Sequence, residues 1–215
     1  MVAYNHDKPE ECATELGKVW KAVWSLLDSS DAVIRKAATE ALATLGQCFT
    51  TSLIKSAVKE KESDDPKSTL GKIIIQTTKA LDSLAYARAI PDVLAVVSSL
   101  IMNLRSRNGS RKNTTAAEQL LMPLVMKVAD LRIQKTFEHK ETADATLGTA
   151  MRILGPAVLL RALPLNLEAV DRYVPICFVV VRLRADSSSG RQAENLAHSS
   201  CRYLRSPIHL LSVIS

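Results

Sequence analysis

The chain has 215 residues, of which 47% are hydrophobic and 23% are charged. This balance is typical of a globular protein with a buried core and excludes a disordered or fibrous one. Only 7 residues are glycine and 4% are aromatic, whereas β-sandwiches and barrels need glycine at turns and aromatic or β-branched residues in strands. The composition therefore favours an all-α fold.

The sequence shows neither a membrane-spanning segment nor a leader peptide. A span needs about 20 apolar residues, and the longest uninterrupted run, Val174 to Val181, ends at Arg182. The N-terminal residues lack the basic segment and the apolar segment of a secretory signal. We therefore expect an intracellular protein that does not enter a membrane.

Catalytic and cofactor-binding motifs are absent from the sequence. It contains no glycine-rich phosphate loop, zinc-protease motif, nucleophile elbow or kinase signature. The cysteines lack the spacing of zinc or redox sites, and no histidine has a second ligand at metal spacing. We expect free thiols, no metal, no cofactor and no enzymatic activity. The residues concerned are Cys12, Cys48, Cys177, Cys201, His6, His139, His198 and His209.

Charge is unevenly distributed along the chain, whose formal net charge is +6. Residues 1–65 carry 8 basic and 11 acidic side chains, residues 66–170 carry 14 and 8, and residues 171–215 carry 6 and 3. Because positive potential promotes association with nucleic acid, the basic part of the chain suits a polyanionic partner. A mildly basic surface without such a partner is the alternative.

Apolar residues recur at steps of three and four, which is the spacing of amphipathic helices. The first helix places Trp20 and Trp24 on its buried stripe, and it is followed by a polar turn that offers caps for the second. The pairing of helices across short turns predicts an α-solenoid. The predicted helices span residues 10–27, 31–45, 49–58, 70–84, 91–104, 115–131 with a kink at Pro123, and 142–154, followed by a short helix.

The second predicted helix resembles the inner helix of a HEAT repeat. The small residues Ala37, Ala38 and Ala41 permit close stacking, and in such repeats an aspartate and an arginine, here Asp31 and Arg35, link neighbouring repeats. The predicted fold is thus a HEAT/armadillo-like α-solenoid of stacked antiparallel helix pairs over residues 1–168, with a generic helical bundle as the alternative. Its predicted buried stripes include Val33, Ile34, Ala37, Ala41 and Leu84.

A basic loop between two predicted helices is the strongest binding signal. Arg105, Arg107, Arg111 and Lys112 place four cations within eight residues, among small or polar neighbours. Such a loop suits a phosphate backbone or a nuclear-import receptor. Base stacking is not indicated because no aromatic residue accompanies the cations. A solvated connector between helices is the alternative.

The segment from Lys140 to Glu168 resembles the ribosomal RNA-processing protein 12 family. In that family a helix ends at a Gly-Pro corner, and a short helix then leads into a Leu-Pro-Leu-Asn-Leu turn. The upstream helices resemble the preceding region of the family, so that the resemblance covers roughly residues 10–168. The motif residues are Gly155, Pro156, Leu163, Pro164, Leu165, Asn166 and Leu167.

This resemblance implies a non-enzymatic HEAT-repeat scaffold of the nucleus and nucleolus. Members of the family bind pre-ribosomal particles, support ribosomal RNA maturation and subunit export, and contact RNA, Ran and nucleoporins. They are several times longer than this chain, which would therefore represent one portion of the solenoid. Two alternatives are an importin-like adaptor of transport or signalling without an RNA role, and a helical enzyme with scattered site residues.

The pattern departs from the family after Leu167, so residues 169–215 form a poorly matched C-terminal region. It contains an apolar run, a serine-rich stretch at residues 187–190 and an arginine-rich end without lysine. We expect residues 171–215, as a disordered or alternative terminus, to be less ordered than the body. Limited proteolysis should remove them first, and early cleavage at residues 59–66 with a resistant C-terminal region would contradict this.

Overall fold

The computed structural model describes residues 1–60, 67–105 and 114–163, which belong to the unit Met1–Pro164; the second unit, Leu165–Ser215, lies outside the described residues. Within these ranges the chain is helical and contains no β-strand, as its composition predicts. The helices are α1 (Val2–Asp7), α2 (Pro9–Trp24), α3 (Ala32–Leu45), α4 (Thr51–Lys59), α5 (Thr69–Asp82), α6 (Ile90–Asn103), α7 (Ala116–Ile133), α8 (Lys140–Leu154) and α9 (Pro156–Ala162). Short 3₁₀ turns cover Ser25–Asp28, Gly46–Cys48 and Leu84–Ala89.

Consecutive helices form pairs that stack in two layers. The pairs are α2 with α3, α5 with α6, and α7 with α8, which we call the first, second and third repeats. Helices α2, α5 and α7 pack side by side as layer A, and α3, α6 and α8 as layer B. Helix α4 occupies the connection between the first two repeats and packs on α5 and α7. This is the predicted HEAT-like solenoid.

Capping side chains determine where several helices begin. Asp31 accepts a hydrogen bond from the amide of Val33 (2.8 Å) and caps α3. Thr115 accepts one from the amide of Glu118 (3.1 Å) and caps α7. Each cap satisfies an amide that the helix leaves unpaired, which is worth about 1 kcal/mol. Both caps are at positions where the sequence predicted a helix start.

An aromatic cluster joins the first repeat to the second. Trp20 and Trp24 are buried, each 1% exposed, and their ring centroids lie 6.3 Å apart. Phe49 packs on Trp20, and the Trp24 indole donates a hydrogen bond to the Tyr86 hydroxyl (3.1 Å). The predicted burial of both tryptophans is confirmed.

Polar bonds link α3 to α6 at both ends of the two helices. Near their starts, Arg35 Nε donates to Asp92 Oδ2 (3.1 Å), and the same guanidinium donates to the carbonyl of Ser29. Near their C-termini, the Asn103 amide donates to the carbonyl of Ala43 (3.3 Å). Arg35 therefore links neighbouring repeats as predicted.

Asp31 does not make the link to the neighbouring repeat that the sequence pattern suggested. Its carboxylate is used for the cap of α3, and Asp92 in the first turn of α6 bonds Arg35 instead. The link and the cap thus use different carboxylates.

Gly46 provides the space for the Asn103 side chain. A Cβ atom built at position 46 would collide with the Asn103 amide nitrogen. The residue has the right-handed helical conformation (φ −58°, ψ −24°), so its backbone would accept any amino acid. Glycine is needed here because the neighbouring helix fills the space of a side chain.

A buried hydroxyl links α6 to α8. Thr146, which is 1% exposed, shares its hydroxyl proton between the carbonyls of Leu94 (3.2 Å) and Thr142 (3.0 Å), and it accepts from Ser98 (3.1 Å). Together with the bonds between α3 and α6, this contact aligns the three helices of layer B. Their C-terminal ends, which we call the C-terminal edge, therefore lie level with one another.

Several residues predicted to be buried are exposed. Leu84 is 92% exposed because α5 ends at Asp82 and Ser83 caps a 3₁₀ turn instead. Val33 is 75% exposed and Ile34 is 42% exposed, and Ala37 and Ala41 are exposed as well. These four residues lie on α3, the first helix of layer B, and within the described ranges no further repeat covers that flank. The prediction that these five residues are buried was wrong.

The stretch Leu84–Asn103 is long and apolar enough to cross a membrane by length and composition, contrary to the sequence-based expectation that no segment qualifies. Most of this stretch is helix α6, which lies in the middle of layer B, between α3 and α8. Val93, Val96 and Val97 are fully buried there. Packing on several sides accounts for the apolar composition, since a helix covered all round needs no polar face.

Two of the predicted free thiols are within the described residues. Cys12 and Cys48 form no disulfide and are buried. Burial raises the pKa of Cys48, and the neighbouring Cys12 thiol raises it further. A raised pKa keeps a thiol protonated and unreactive. Cys177 and Cys201 lie outside the described residues, as does the whole region 171–215 that we expect to be less ordered.

Helix α7, in which the sequence predicted a kink at Pro123, continues through that residue.

We predict that Trp24→Ala lowers the free energy of unfolding by about 3 kcal/mol, because it leaves a cavity between two repeats and removes the bond to Tyr86. Urea denaturation of the whole chain measures this loss. Leu84→Ala is the control and should cost less than about 0.5 kcal/mol, since Leu84 is exposed. Equal losses in the two variants would contradict the burial of this cluster.

Gly46→Ala should destabilise the chain by about 1–3 kcal/mol, because the new methyl group displaces the Asn103 amide. In an Asn103→Ala background the same substitution should cost much less, since the obstructing amide is gone. A double-mutant cycle by urea denaturation tests this coupling. Additive losses would show that residues 46 and 103 do not share the space.

Candidate nucleic-acid interface

The structure places the first residue of the predicted basic loop at the C-terminal edge of layer B. Arg105 is exposed and follows the end of α6, where its amide donates to the carbonyl of Met102 (3.4 Å). The amide of Ala117 donates to the carbonyl of Leu104 (2.9 Å), which holds the start of α7 against the end of α6. The two ends of the loop are therefore close together.

The remaining predicted RNA-binding residues, Arg107, Arg111 and Lys112, lie outside the described residues. Their contacts with RNA stay a prediction. What the structure adds is the anchoring of the loop, since both of its ends belong to helices whose positions are set by buried contacts. The described residues on either side of the loop thus have a defined place in the stack.

The described part of the family motif forms a corner at this same edge. Gly155 has φ +90°, a conformation that glycine adopts with little strain, and Pro156 is the first residue of α9. Leu159 and Leu163 are buried, which seats α9 on α8. Gly155, Pro156 and Leu163 therefore have a structural role, while Pro164, Leu165, Asn166 and Leu167 lie outside the described residues.

Two further arginines, one at this edge and one on the short helix that begins there, were not identified from the sequence. Arg152 lies in the last turn of α8 and Arg161 in the last turn of α9, and both are exposed. Within the described residues, neither they nor Arg105 pairs with a carboxylate; Arg152 donates to the Thr149 hydroxyl (3.3 Å). Arg105 and Arg152 are far apart in sequence, so only the aligned ends of α6 and α8 bring them to one edge.

The lysines of helix α4 differ from these arginines in that an acidic residue directly follows their helix. Lys55 and Lys59 are exposed, but Glu60 follows directly. The amide of Ser68 donates to the Glu60 carboxylate (2.8 Å) and lowers its pKa, so that it stays charged. This negative charge offsets the neighbouring lysine, and α4 adds less positive potential than the three arginines.

The opposite edge of the stack carries paired and acidic side chains. Arg132 contacts Asp144 (2.7 Å) in the third repeat, and Lys127 contacts Asp82 (2.7 Å) between layer A helices. The pair of Arg35 with Asp92 lies at this edge as well, next to the exposed Asp28 and Asp31. The ion pairs between repeats and within the third repeat thus lie at the opposite edge, whereas the three arginines have no carboxylate partner among the described residues.

Comparison with known proteins identifies the family of this repeat stack. The family model described as "Ribosomal RNA-processing protein 12, HEAT repeats" matches residues 28–175, more than half of the chain. A curated protein of Schizosaccharomyces pombe (strain 972 / ATCC 24843), named "Putative ribosomal RNA-processing protein 12", is 26% identical over 170 residues. This alignment covers 79% of the chain but 13% of the relative. No solved structure matches significantly. The chain therefore belongs to the HEAT-repeat family of ribosomal RNA-processing protein 12.

Proposed function

We propose that this chain is a portion of a non-enzymatic scaffold in ribosome biogenesis. In this proposal it binds pre-ribosomal particles and supports ribosomal RNA processing and subunit export, in the nucleus and nucleolus. The family match over residues 28–175 is the observation that carries the proposal. The similar fission yeast protein is named for ribosomal RNA processing, which supports the same role.

The basic loop is the proposed point of RNA contact. Arg105, Arg107, Arg111 and Lys112 would bind phosphates without reading bases, since no aromatic residue lies among them. The exposure of Arg105 and the closed base of the loop support this assignment. Contacts with Ran and nucleoporins rest on the family resemblance alone.

A protein-binding adaptor without an RNA role is the second candidate function. It is favoured by exposed apolar side chains near the turns of the first two repeats. Leu26 is 47%, Val33 75% and Leu84 92% exposed, and the turns that carry Leu26 and Leu84 are in contact. Exposed apolar clusters of this kind often bind proteins. RNA dependence of particle binding separates the two functions.

We expect the chain to co-sediment with pre-ribosomal particles and to lose this association after ribonuclease treatment. Replacing Arg105, Arg107, Arg111 and Lys112 by alanine should weaken RNA binding about equally across sequences, because phosphate contacts carry no sequence information. The plot of log affinity against log salt should flatten by about one unit or less per lost contact. Filter binding over a series of salt concentrations measures both effects.

The matched control removes the same charge elsewhere on the described surface, at the exposed Lys21, Lys36, Lys79 and Arg88. This variant should keep nearly the affinity and the salt dependence of the unmodified chain. If both quadruple variants bind RNA equally well, the loop is a solvated connector. If ribonuclease leaves the particle association intact, the adaptor function is favoured.

A further inference from the structure

The side chains at the C-terminal edge indicate which form of RNA the proposed function involves. We propose that Arg105, Arg152 and Arg161 form a surface that binds double-helical RNA through its phosphates, in preference to single strands. This inference rests on the proposed function, since it takes RNA as the ligand. It extends the contact from one loop to the ends of two repeats and the α9 corner.

The first support is the geometry of the edge. Hydrogen bonds between α6 and α8 hold their C-terminal ends level, and Gly155 turns the chain into α9 at the same place. Packed helices lie about 8–10 Å apart, a distance over which a nucleic-acid duplex presents several phosphates. Arg105 and Arg152 can therefore contact one duplex without rearrangement of the backbone.

The second support is the chemistry of the three side chains. A guanidinium donates several hydrogen bonds in a planar fork that fits phosphate oxygens. All three arginines are exposed, and within the described ranges none of them forms an ion pair with a carboxylate. Arg35 and Arg132, at the opposite edge, pair with aspartates instead. A dense polyanion is thus the ligand class that fits the C-terminal edge.

The third support concerns the form of the nucleic acid. Proteins that bind single strands commonly stack bases on exposed aromatic rings, whereas duplex RNA is bound through its phosphates and ribose hydroxyls. Trp20 and Trp24 are buried, and Phe49 and Tyr86 pack against them. Phe137 lies after α7, at the opposite edge. Among the aromatic contacts of the described side chains, none involves the three arginines.

The test uses the whole 215-residue chain and fluorescence anisotropy with two RNA duplexes of unrelated sequence, each about 20 base pairs long, and with their separated strands. We expect both duplexes to bind about tenfold more tightly than the strands at the same salt concentration. Arg152→Ser/Arg161→Ser should weaken duplex binding by about fivefold or more and lower the salt slope by up to about two units. Polyglutamate, as an acidic peptide, should compete poorly.

The control is Lys36→Ser/Arg88→Ser, which removes equal charge outside the edge and should change duplex affinity by less than about twofold. Circular dichroism and thermal unfolding establish that both variants fold. Equal affinity for strands and duplexes would overturn the duplex preference, and strong competition by polyglutamate would overturn the ligand class. Unchanged binding by the Arg152/Arg161 variant would overturn the edge assignment. If one of these results overturns the inference but the chain still associates with pre-ribosomal particles, the proposed function stands. If the unmodified chain does not associate with the particles, the proposed function itself is refuted.

Discussion

The alignment of the layer B helices is the constraint on which the rest of the structure depends. Apolar contacts between α3, α6 and α8 favour close packing, but they are non-directional and would tolerate sliding of one helix along another. The bonds of Arg35 with Asp92 and of Thr146 with Leu94 require one alignment. These bonds are directional and join groups of different helices, so a shifted register would break both of them. The level C-terminal edge is a consequence.

Much of the fold follows from local sequence signals, and the exceptions have two physical causes. The helices, the cap at Thr115 and the burial of Trp24 could be predicted from apolar spacing and capping chemistry. Leu84 was misassigned because α5 ends before it, at Asp82. Val33 was misassigned because an apolar residue in a helical pattern indicates only which face can be buried. Whether a neighbour covers that face depends on contacts between segments distant in sequence.

In the candidate site, too, only the residues that lie close together in the sequence could be predicted. The loop beginning at Arg105 could be recognised because its four cations lie within eight residues of the sequence. Arg152 and Arg161 are isolated positions on two helices. The place of Arg152 near Arg105 depends on the hydrogen bonds of Thr146, and Arg161 follows the turn at Gly155. The family motif was found from its residue pattern, but only the backbone conformation shows that its described part forms a corner.

The fit of the Asn103 side chain over Gly46 makes the first two repeats mutually dependent. In many solenoids, a repeat can be duplicated or exchanged because its contacts with neighbours are generic. Here Asn103 of the second repeat fills the space that Gly46 of the first repeat leaves free. A repeat inserted between them would need an amide side chain to pack over Gly46 and a glycine to receive Asn103. Divergence at this junction is therefore expected to proceed by paired changes, which makes α3 and α6 a poor place to lengthen the solenoid.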